Sequence, residues 1–263
     1  MPTMIGDVAL SVDEDFVATV EIRRPPNNFF DLALIDALAE ACERVDADPD
    51  ARAIVLCAEG KHFCAGADFG GSASAGPPPT NPDGTPRHLY DAALRFVSTS
   101  TPIVAAVHGA AIGGGLGVAC AADFRIAAPA SRFSANFARL GFHHGFGLTV
   151  TLPRIVGHQR ALELLYTGRR MSGDVAADIG LADRLVPLDR VRPTAHELAA
   201  EIAASAPLAV RSIRETMRAG IVDGFRAATD RESAEQDRLR ATDDWREGVA
   251  AMTERRPPRF TGS

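Results

Sequence analysis

The chain contains 263 residues, of which 46% are hydrophobic and 24% are charged, and its formal net charge is −6. This composition is typical of a folded globular protein, and the negative charge argues against nucleic acid as a main partner. The sequence has no apolar run of about 18 residues and no signal-peptide pattern, so we expect a cytoplasmic protein without a membrane span.

Short predicted strands alternate with helices along the first half of the chain. The strands are expected at residues 17–22, 53–57, 103–107 and 124–127. Asp31 is the expected N-cap of a helix whose apolar residues recur at helical spacing, and Pro49 ends that helix. This alternation predicts an α/β fold built from right-handed crossovers.

A loop interrupts this pattern once, and the last quarter of the chain is predicted to be helical. Residues 70–86 contain five prolines together with glycine and serine, which predicts a loop, and a helix is expected to resume near Arg87. From His196 the sequence is helical in character and rich in arginine and glutamate. We therefore divide the chain into a core, residues 1–195, and a C-terminal helical region, residues 196–263.

The cysteines show neither CxxC nor cysteine–histidine metal spacing, and all lie in apolar stretches; they are Cys42, Cys57, Cys64 and Cys120. We expect them to be buried, reduced thiols, which suits a reducing compartment. No metal site is predicted from the sequence.

Two short stretches carry the clearest chemical signal, and each follows a predicted strand. Residues 62–68 read HFCAGAD, and residues 108–115 read HGAAIGGG and lead into a helix. Each stretch can present a free backbone N–H, that of Ala67 from a turn and that of Gly114 from a helix N-terminus. Two such donors directed at one oxygen form an oxyanion hole, and the helix dipole strengthens it.

With these two motifs the sequence resembles the crotonase (enoyl-CoA hydratase/isomerase) superfamily, and the likeness extends along most of the chain. Further matching segments are Arg24-Pro25 with Asn28, LPRIVG at 152–157, LYTG at 165–168, ADIGLADRLV at 177–186, Glu247-Gly248 and Arg256-Pro257. The resemblance implies a spiral core of repeated ββα units and a C-terminal helical region that builds a homotrimer or a dimer of trimers.

The resemblance also implies a ligand, an acyl-CoA thioester, and no metal or other cofactor. The thioester oxygen is expected between the N–H groups of Ala67 and Gly114. The backbone of Ala65, Asp68 and Phe69 is expected to border the adenine and pantetheine of the CoA.

The carboxylates that the family uses to add water are absent from the matching positions. Two glutamates of a hydratase correspond to Gly117 and Phe137, and a third acidic position corresponds to Gly145. Proton transfer needs a titratable group within reach and contributes ~10²–10⁴-fold to the rate. Efficient hydration by two glutamates is therefore not expected.

His143 and His144 are the predicted replacement acid or base, with His144 slightly preferred. They lie in the turn that the resemblance directs toward the acyl pocket, and a histidine titrates near neutral pH. The alternative is structural, with both imidazoles bonded to backbone or placed at a subunit contact.

Other side chains near these motifs have two interpretations each. One interpretation of Asn136 is that it orients water or an acyl substituent, and the other is a structural role. Asp68 is interpreted as a structural cap or loop anchor rather than a catalytic residue, and Cys64 as a small buried residue rather than a nucleophile. The aromatic residues Phe137, Phe142 and Phe146 are interpreted either as the wall of an acyl pocket or as ordinary core. His88 and Tyr90 are interpreted as flanking the pocket.

Two functions remain open from the sequence. One is an acyl-CoA lyase or isomerase whose proton-transfer group has moved or whose reaction has changed. The other is a non-catalytic acyl-CoA-binding carrier or regulator. Nucleotide binding is disfavoured because the glycines lack GxGxxG spacing, and an α/β-hydrolase is disfavoured because no GxSxG sequence occurs.

Overall fold

The computed structural model describes residues 1–68 and 88–263. The strands in these ranges are β1 (Thr3–Ile5), β2 (Val8–Val12), β3 (Val17–Ile22), β4 (Ala53–Ala58), β5 (Ile103–Val107), β6 (Ala110–Ile112), β7 (Phe124–Ala127), β8 (Arg132–Ser134), β9 (Met171–Ser172) and β10 (Arg184–Leu185). The four strands predicted from the sequence correspond to β3, β4, β5 and β7. The predicted loop at residues 70–86 and Arg87 lie outside the described residues.

The strands form two sheets. The larger has the order β1-β2-β3-β4-β5-β7-β10, and the smaller has the order β6-β8-β9. In the larger sheet β1, β2 and β3 are antiparallel neighbours, whereas β3 to β10 pair in parallel. Parallel neighbours need crossover connections, which agrees with the predicted alternation of strands and helices.

Helices cover the sheets and form the C-terminal part of the chain. They are α1 (Leu32–Ala47), α2 (Leu89–Val97), α3 (Gly114–Ala121), α4 (Leu148–Val156), α5 (His158–Thr167), α6 (Gly173–Asp178), α7 (Val191–Ala203), α8 (Pro207–Met217), α9 (Ile221–Arg240) and α10 (Asp243–Glu254). The predicted cap of α1 is confirmed, because Asp31 accepts a hydrogen bond of 2.9 Å from the Leu34 N–H. None of the helices in the described ranges has the length and apolarity needed to cross a bilayer.

Two hydrophobic cores lie on opposite faces of the larger sheet. One includes Val20, Leu38 and Phe96, which bring α1 and α2 against the strands. The other includes Val104 and Ala199, so α7 covers the second face. Complete burial of a large apolar side chain contributes about 1.5–3 kcal/mol, so the three helices are fixed mainly by this packing.

Helix α7 begins five residues earlier than the sequence predicted, at Val191 rather than His196. Pro193 lies in its first turn, where a missing N–H costs no intrahelical hydrogen bond. The predicted division between residues 195 and 196 therefore falls inside α7, and the division into two regions stays a prediction.

Candidate active site

A cavity of about 780 Å³ lies where the two predicted loops meet, and both Ala67 and Gly114 line it. Its walls come from the turn before α1, the starts of α2 and α3, residues 136–146, and the C-terminal helices α9 and α10. Ala65 and Asp68 also line the cavity, and their contact with the CoA stays a prediction. Phe69, predicted with them, lies outside the described residues.

Backbone hydrogen bonds join the two predicted loops directly. The Cys64 N–H donates to the Ala110 carbonyl at 2.9 Å, and the Ile112 N–H donates to the Cys64 carbonyl at 3.0 Å. Gly115 lies against this junction so closely that an added Cβ would overlap the Cys64 carbonyl oxygen. A glycine at 115 is therefore required for the two loops to approach each other.

The turn before α3 exposes the amide of its first residue. Gly113 has φ 57° and ψ −119°, a conformation that residues with a side chain rarely adopt. Its own N–H donates to the Ser134 carbonyl at 2.8 Å. Within the described residues, neither the Gly114 N–H nor the Ala67 N–H donates to a protein acceptor, so both are available to a ligand.

Phe30 packs on the first turn of α3 beside these amides. Its ring occupies the space where a side chain on Gly114 would project, and its N–H donates to the Gly66 carbonyl at 3.1 Å. No periodic pattern or motif predicts this contact, because Phe30 follows an irregular turn. Phe30 therefore closes one side of the cavity with an apolar surface.

Phe146 fills the space beside Gly117, the first position at which the resemblance implies a glutamate in a hydratase. A Cβ atom on Gly117 would lie 2.6 Å from the Phe146 Cβ and 2.8 Å from its Cδ1. The Phe146 ring also contacts the Phe30 ring edge-on, with centroids 6.1 Å apart. The structure therefore has no room for a side chain at residue 117.

Two polar groups fill the space beside Gly145. A Cβ atom there would overlap both the Tyr90 hydroxyl and the Gln236 amide nitrogen. Both side chains line the cavity, one from α2 and one from α9. Tyr90 and His88 thus flank the pocket as the sequence interpretation allowed, whereas Gln236 was not identified because α9 is distant in sequence.

Three phenylalanines form an apolar part of the cavity wall. Phe137, Phe142 and Phe146 are all buried, line the cavity and belong to the main hydrophobic core, so their placement agrees with both interpretations made from the sequence. The ring centroids of Phe137 and Phe142 lie 5.5 Å apart, and those of Phe142 and Trp245 lie 4.6 Å apart. Phe137, at the second glutamate position, therefore contributes only apolar surface.

The two predicted catalytic histidines do not line the cavity. The imidazoles of His143 and His144 stack with centroids 4.2 Å apart. His143 Nδ1 lies 2.8 Å from the His144 carbonyl, and His144 Nε2 lies 2.8 Å from the Thr149 hydroxyl. The geometry thus favours the structural alternative, and a catalytic role for either histidine gains no support from its placement.

A buried carboxylate anchors the turn that carries these histidines. Glu232 of α9 is fully buried and accepts hydrogen bonds from the Gly147 N–H at 2.8 Å and from the Thr149 hydroxyl at 2.6 Å. Burial raises its pKa, although these hydrogen bonds oppose that shift. Burial and the neighbouring His143 lower the pKa of His144 to about 4. His144 is therefore neutral at pH 7.

The remaining titratable side chains at the cavity are mostly committed to structure. Asp31 caps α1 and lies 3.0 Å from the Arg24 guanidinium. His88 accepts a hydrogen bond from the Tyr90 N–H, which caps α2. Cys64 is buried, and burial raises its thiol pKa to about 12, so a nucleophilic thiolate is disfavoured. No glutamate lines the cavity within the part of the chain that the structure describes.

Asn136 is placed beside the turn before α3. Its side-chain oxygen lies 3.2 Å from where a Cβ on Gly113 would be, and the residue lines the cavity. Its predicted role in orienting water or an acyl substituent stays a prediction.

Comparison with known proteins gives a consistent result along nearly the whole chain. Residues 13–263 match the family described as enoyl-CoA hydratase/isomerase. A probable enoyl-CoA hydratase of Bacillus subtilis is 33% identical over 97% of this chain and 98% of its own length. The 1,2-epoxyphenylacetyl-CoA isomerase of Escherichia coli is 30% identical over 96% of this chain and 98% of its own length.

The fold is similar to that of solved structures as well. The crystal structure of an enoyl-CoA hydratase/isomerase from Pseudoalteromonas atlantica has a TM-score of 0.83 and 29% identity, and covers 97% of this chain and all of that one. This similarity confirms the crotonase-like α/β fold predicted from the sequence. The matched segments include both loops of the cavity, and the chain therefore belongs to the enoyl-CoA hydratase/isomerase family.

Proposed function

We propose that the cavity binds an acyl-CoA thioester with its carbonyl oxygen between the N–H groups of Ala67 and Gly114, and that the chain catalyses a reaction in which negative charge develops on that oxygen. The observation that carries the proposal is that both amides line one cavity and donate to no acceptor among the described residues. Removal of one donor from such a site typically costs ~10²–10³ in rate. Ala65 and Asp68 would border the CoA, and the reaction would need no metal or further cofactor.

The reaction that we propose is a lyase or isomerase reaction other than water addition by two glutamates. Phe146 excludes a side chain at residue 117, and residue 137 supplies only a phenyl ring. Since neither group can transfer a proton, a hydratase mechanism that uses both positions is not available to this chain.

A second candidate function is acyl-CoA binding without turnover, as a carrier or regulator. The observation that favours it is the commitment of the titratable groups around the cavity to caps and ion pairs, as seen for Asp31 and His88. An intact oxyanion site without a free base can bind a thioester and leave it unchanged.

The thioester site can be tested with butyryl-CoA and its thioether analogue, S-butyl-CoA, which lacks only the carbonyl oxygen. We expect the thioester to bind roughly tenfold more tightly in calorimetry, because two amides would lose their acceptor in the thioether complex. Equal affinities for the two compounds would contradict the proposed oxyanion site.

Catalysis is distinguished from simple binding by whether the protein converts a bound acyl-CoA into a new compound. Enoyl-, hydroxyacyl- and malonyl-CoA thioesters would be incubated with the protein in deuterium oxide and analysed by mass spectrometry. A new acyl species, or deuterium incorporated beside the thioester, supports the enzyme. Tight binding without either change on any of these compounds would leave the carrier function.

We also propose that the chain assembles as a homotrimer or a dimer of trimers. Leu208, Ile213 and Met217 of α8 are exposed in the single chain, and exposed apolar side chains on one helix favour burial between subunits. Native mass spectrometry tests the assembly, and a monomer at micromolar concentration would contradict it.

A further inference from the structure

The Tyr90 hydroxyl and the Gln236 amide form a polar pair at the cavity surface. The hydroxyl donates to Gln236 Oε1 at 3.2 Å and accepts from the Phe146 N–H at 3.4 Å. Gln236 Nε2 donates to the His143 carbonyl at 3.1 Å. Both side chains occupy the volume that a side chain on residue 145 would need, so this pair stands in place of that side chain.

Apolar side chains share this part of the cavity with the pair. Phe142, Phe146 and Leu140 line the same cavity and are buried. A hydroxyl and an amide cost free energy in such surroundings unless their hydrogen bonds are strong. The two bonds of the Tyr90 oxygen, at 3.2 and 3.4 Å, are long for hydroxyl and amide donors. The pair therefore has capacity to bind a further oxygen from a ligand.

The charge around the pair favours a neutral ligand group. The Glu232 carboxylate is fully buried one turn before Gln236 on α9. Burial, together with the charge of Glu232, raises the pKa of Tyr90, so the phenol stays protonated. Arg240 also lines the cavity and its charge opposes this shift, but its guanidinium lies over the Phe142 ring, 5.7 Å from the centroid. An anionic acyl substituent would meet the field of Glu232.

We propose that Tyr90 and Gln236 are specificity-determining residues that recognise a neutral oxygen, a hydroxyl or keto group, on the acyl chain of the ligand. The inference rests on the proposed function, since it assumes that an acyl-CoA occupies this cavity. The Tyr90 hydroxyl donates to a keto oxygen or accepts from a hydroxyl, while Gln236 Oε1 provides a second acceptor.

The test compares 3-hydroxybutyryl-CoA with butyryl-CoA, which differ only in the hydroxyl group, by calorimetry. The wild type is expected to bind the hydroxylated compound more tightly. In Tyr90→Phe this preference, measured as the ratio of the two dissociation constants, falls roughly three- to tenfold, the value of one neutral hydrogen bond. The matched control is Tyr166→Phe, which alters the only other tyrosine, 73% exposed and away from the cavity lining.

Gly145→Ala provides a second test that leaves both polar groups in the chain. Its Cβ displaces the Tyr90 hydroxyl and the Gln236 amide, so the preference is expected to fall as in Tyr90→Phe. This variant decides the question if Tyr90→Phe does not fold. Succinyl-CoA, which carries a carboxylate, is expected to bind the wild type more weakly than butyryl-CoA.

The outcomes separate this inference from the function on which it rests. If the wild type binds butyryl-CoA but shows no preference for the hydroxylated compound, the inference is wrong and the acyl-CoA site stands. An unchanged preference in a folded Tyr90→Phe or Gly145→Ala protein, or tighter binding of succinyl-CoA, also overturns it. If none of these thioesters binds, the proposed function fails and the inference fails with it.

Discussion

Phe146 lies directly against Gly117, with 2.6 Å between the Phe146 Cβ and the position of a Cβ on Gly117. Phe146 itself has φ 59°, a left-handed conformation that is costly for a bulky residue. Its ring makes edge-on contacts with Phe30 and Phe225, at centroid distances of 6.1 and 6.2 Å. Aromatic packing thus holds a strained residue in the volume that a glutamate would need.

Gly117→Glu is therefore expected to destabilise the protein without creating a hydratase. The added side chain overlaps Phe146, and overpacking of this kind costs about 1–3 kcal/mol or more. Urea unfolding gives the stability, and loss of crotonyl-CoA absorbance gives the hydration rate. Wild-type stability together with new hydration would show that Phe146 moves aside freely.

The double variant Gly117→Glu with Phe146→Gly is expected to be more stable than Gly117→Glu alone. Glycine at residue 146 provides space and adopts a positive φ without strain. The free energy of unfolding is measured for both single variants and the double variant, and additive losses would contradict this coupling.

Gly115→Ala is expected to lower stability and to weaken acyl-CoA binding. Its Cβ overlaps the Cys64 carbonyl, a backbone atom that cannot rotate away, so the two loops must separate. We expect a loss of about 1–3 kcal/mol and at least a roughly tenfold rise in Kd for butyryl-CoA.

Gly224→Ala on α9 is the matched control for that variant. Its Cβ would lie 3.6 Å from Val150, an ordinary contact, so the substitution is expected to stabilise the helix by about 0.5–1 kcal/mol. Equal effects of the two alanines in urea unfolding would contradict the packing described for Gly115.

Asn28→Asp is expected to cost about 3 kcal/mol of stability. The buried Asn28 side chain donates to the Glu59 carbonyl at 2.7 Å and to the His62 carbonyl at 2.6 Å, and accepts from the Arg24 N–H at 2.9 Å. A carboxylate cannot donate, so both carbonyls would face an anion.

The neighbouring Asn27 offers a control for the same chemical change. Its side chain makes no hydrogen bond within the described ranges, so Asn27→Asp is expected to change stability by less than about 1 kcal/mol. Similar thermal shifts for the two aspartate variants would show that the hydrogen bonds of Asn28 carry little of the stability.

Acid is expected to destabilise the protein through His144. Its folded-state pKa of about 4 lies below the ordinary value of 6.5, so the unfolded chain binds the proton first as pH falls. Neutral His144 therefore contributes about 3 kcal/mol to the free energy of unfolding above pH 6.5. This contribution is lost as the pH falls from 6.5 to 4. Glu232, whose pKa is raised, acts in the opposite sense.

The comparison with His144→Gln isolates this contribution, because Glu232 is present in both proteins. Glutamine can keep a hydrogen bond to Thr149 but does not titrate. Unfolding free energies measured between pH 7 and 4 should therefore fall more steeply for the wild type. Parallel pH profiles would contradict the low pKa of His144.

Features set by neighbouring residues could be predicted from the sequence. The cap at Asp31 and the four strands depend on local patterns, and the two glycine loops each follow a strand, so their meeting at one cavity could be expected. The early start of α7 was missed because Pro193 normally breaks a helix, although it is tolerated in a first turn.

Side-chain direction within the site could not be predicted in the same way. His143 and His144 precede two cavity residues, Gly145 and Phe146, yet neither histidine lines the cavity, and both imidazoles have hydrogen-bond partners elsewhere in the same turn. The pairing of Tyr90 with Gln236 joins α2 to α9, and no local pattern specifies such a distant contact.

The contribution of α9 to the cavity has a consequence for synthesis of the protein. Ser233, Gln236 and Arg240 complete one wall, and Glu232 fixes the turn beside it. A chain leaving the ribosome presents the loops of Ala67 and Gly114 long before this helix emerges. Nascent chains that end before α9 therefore lack one wall of the cavity, which is completed only when translation is almost finished.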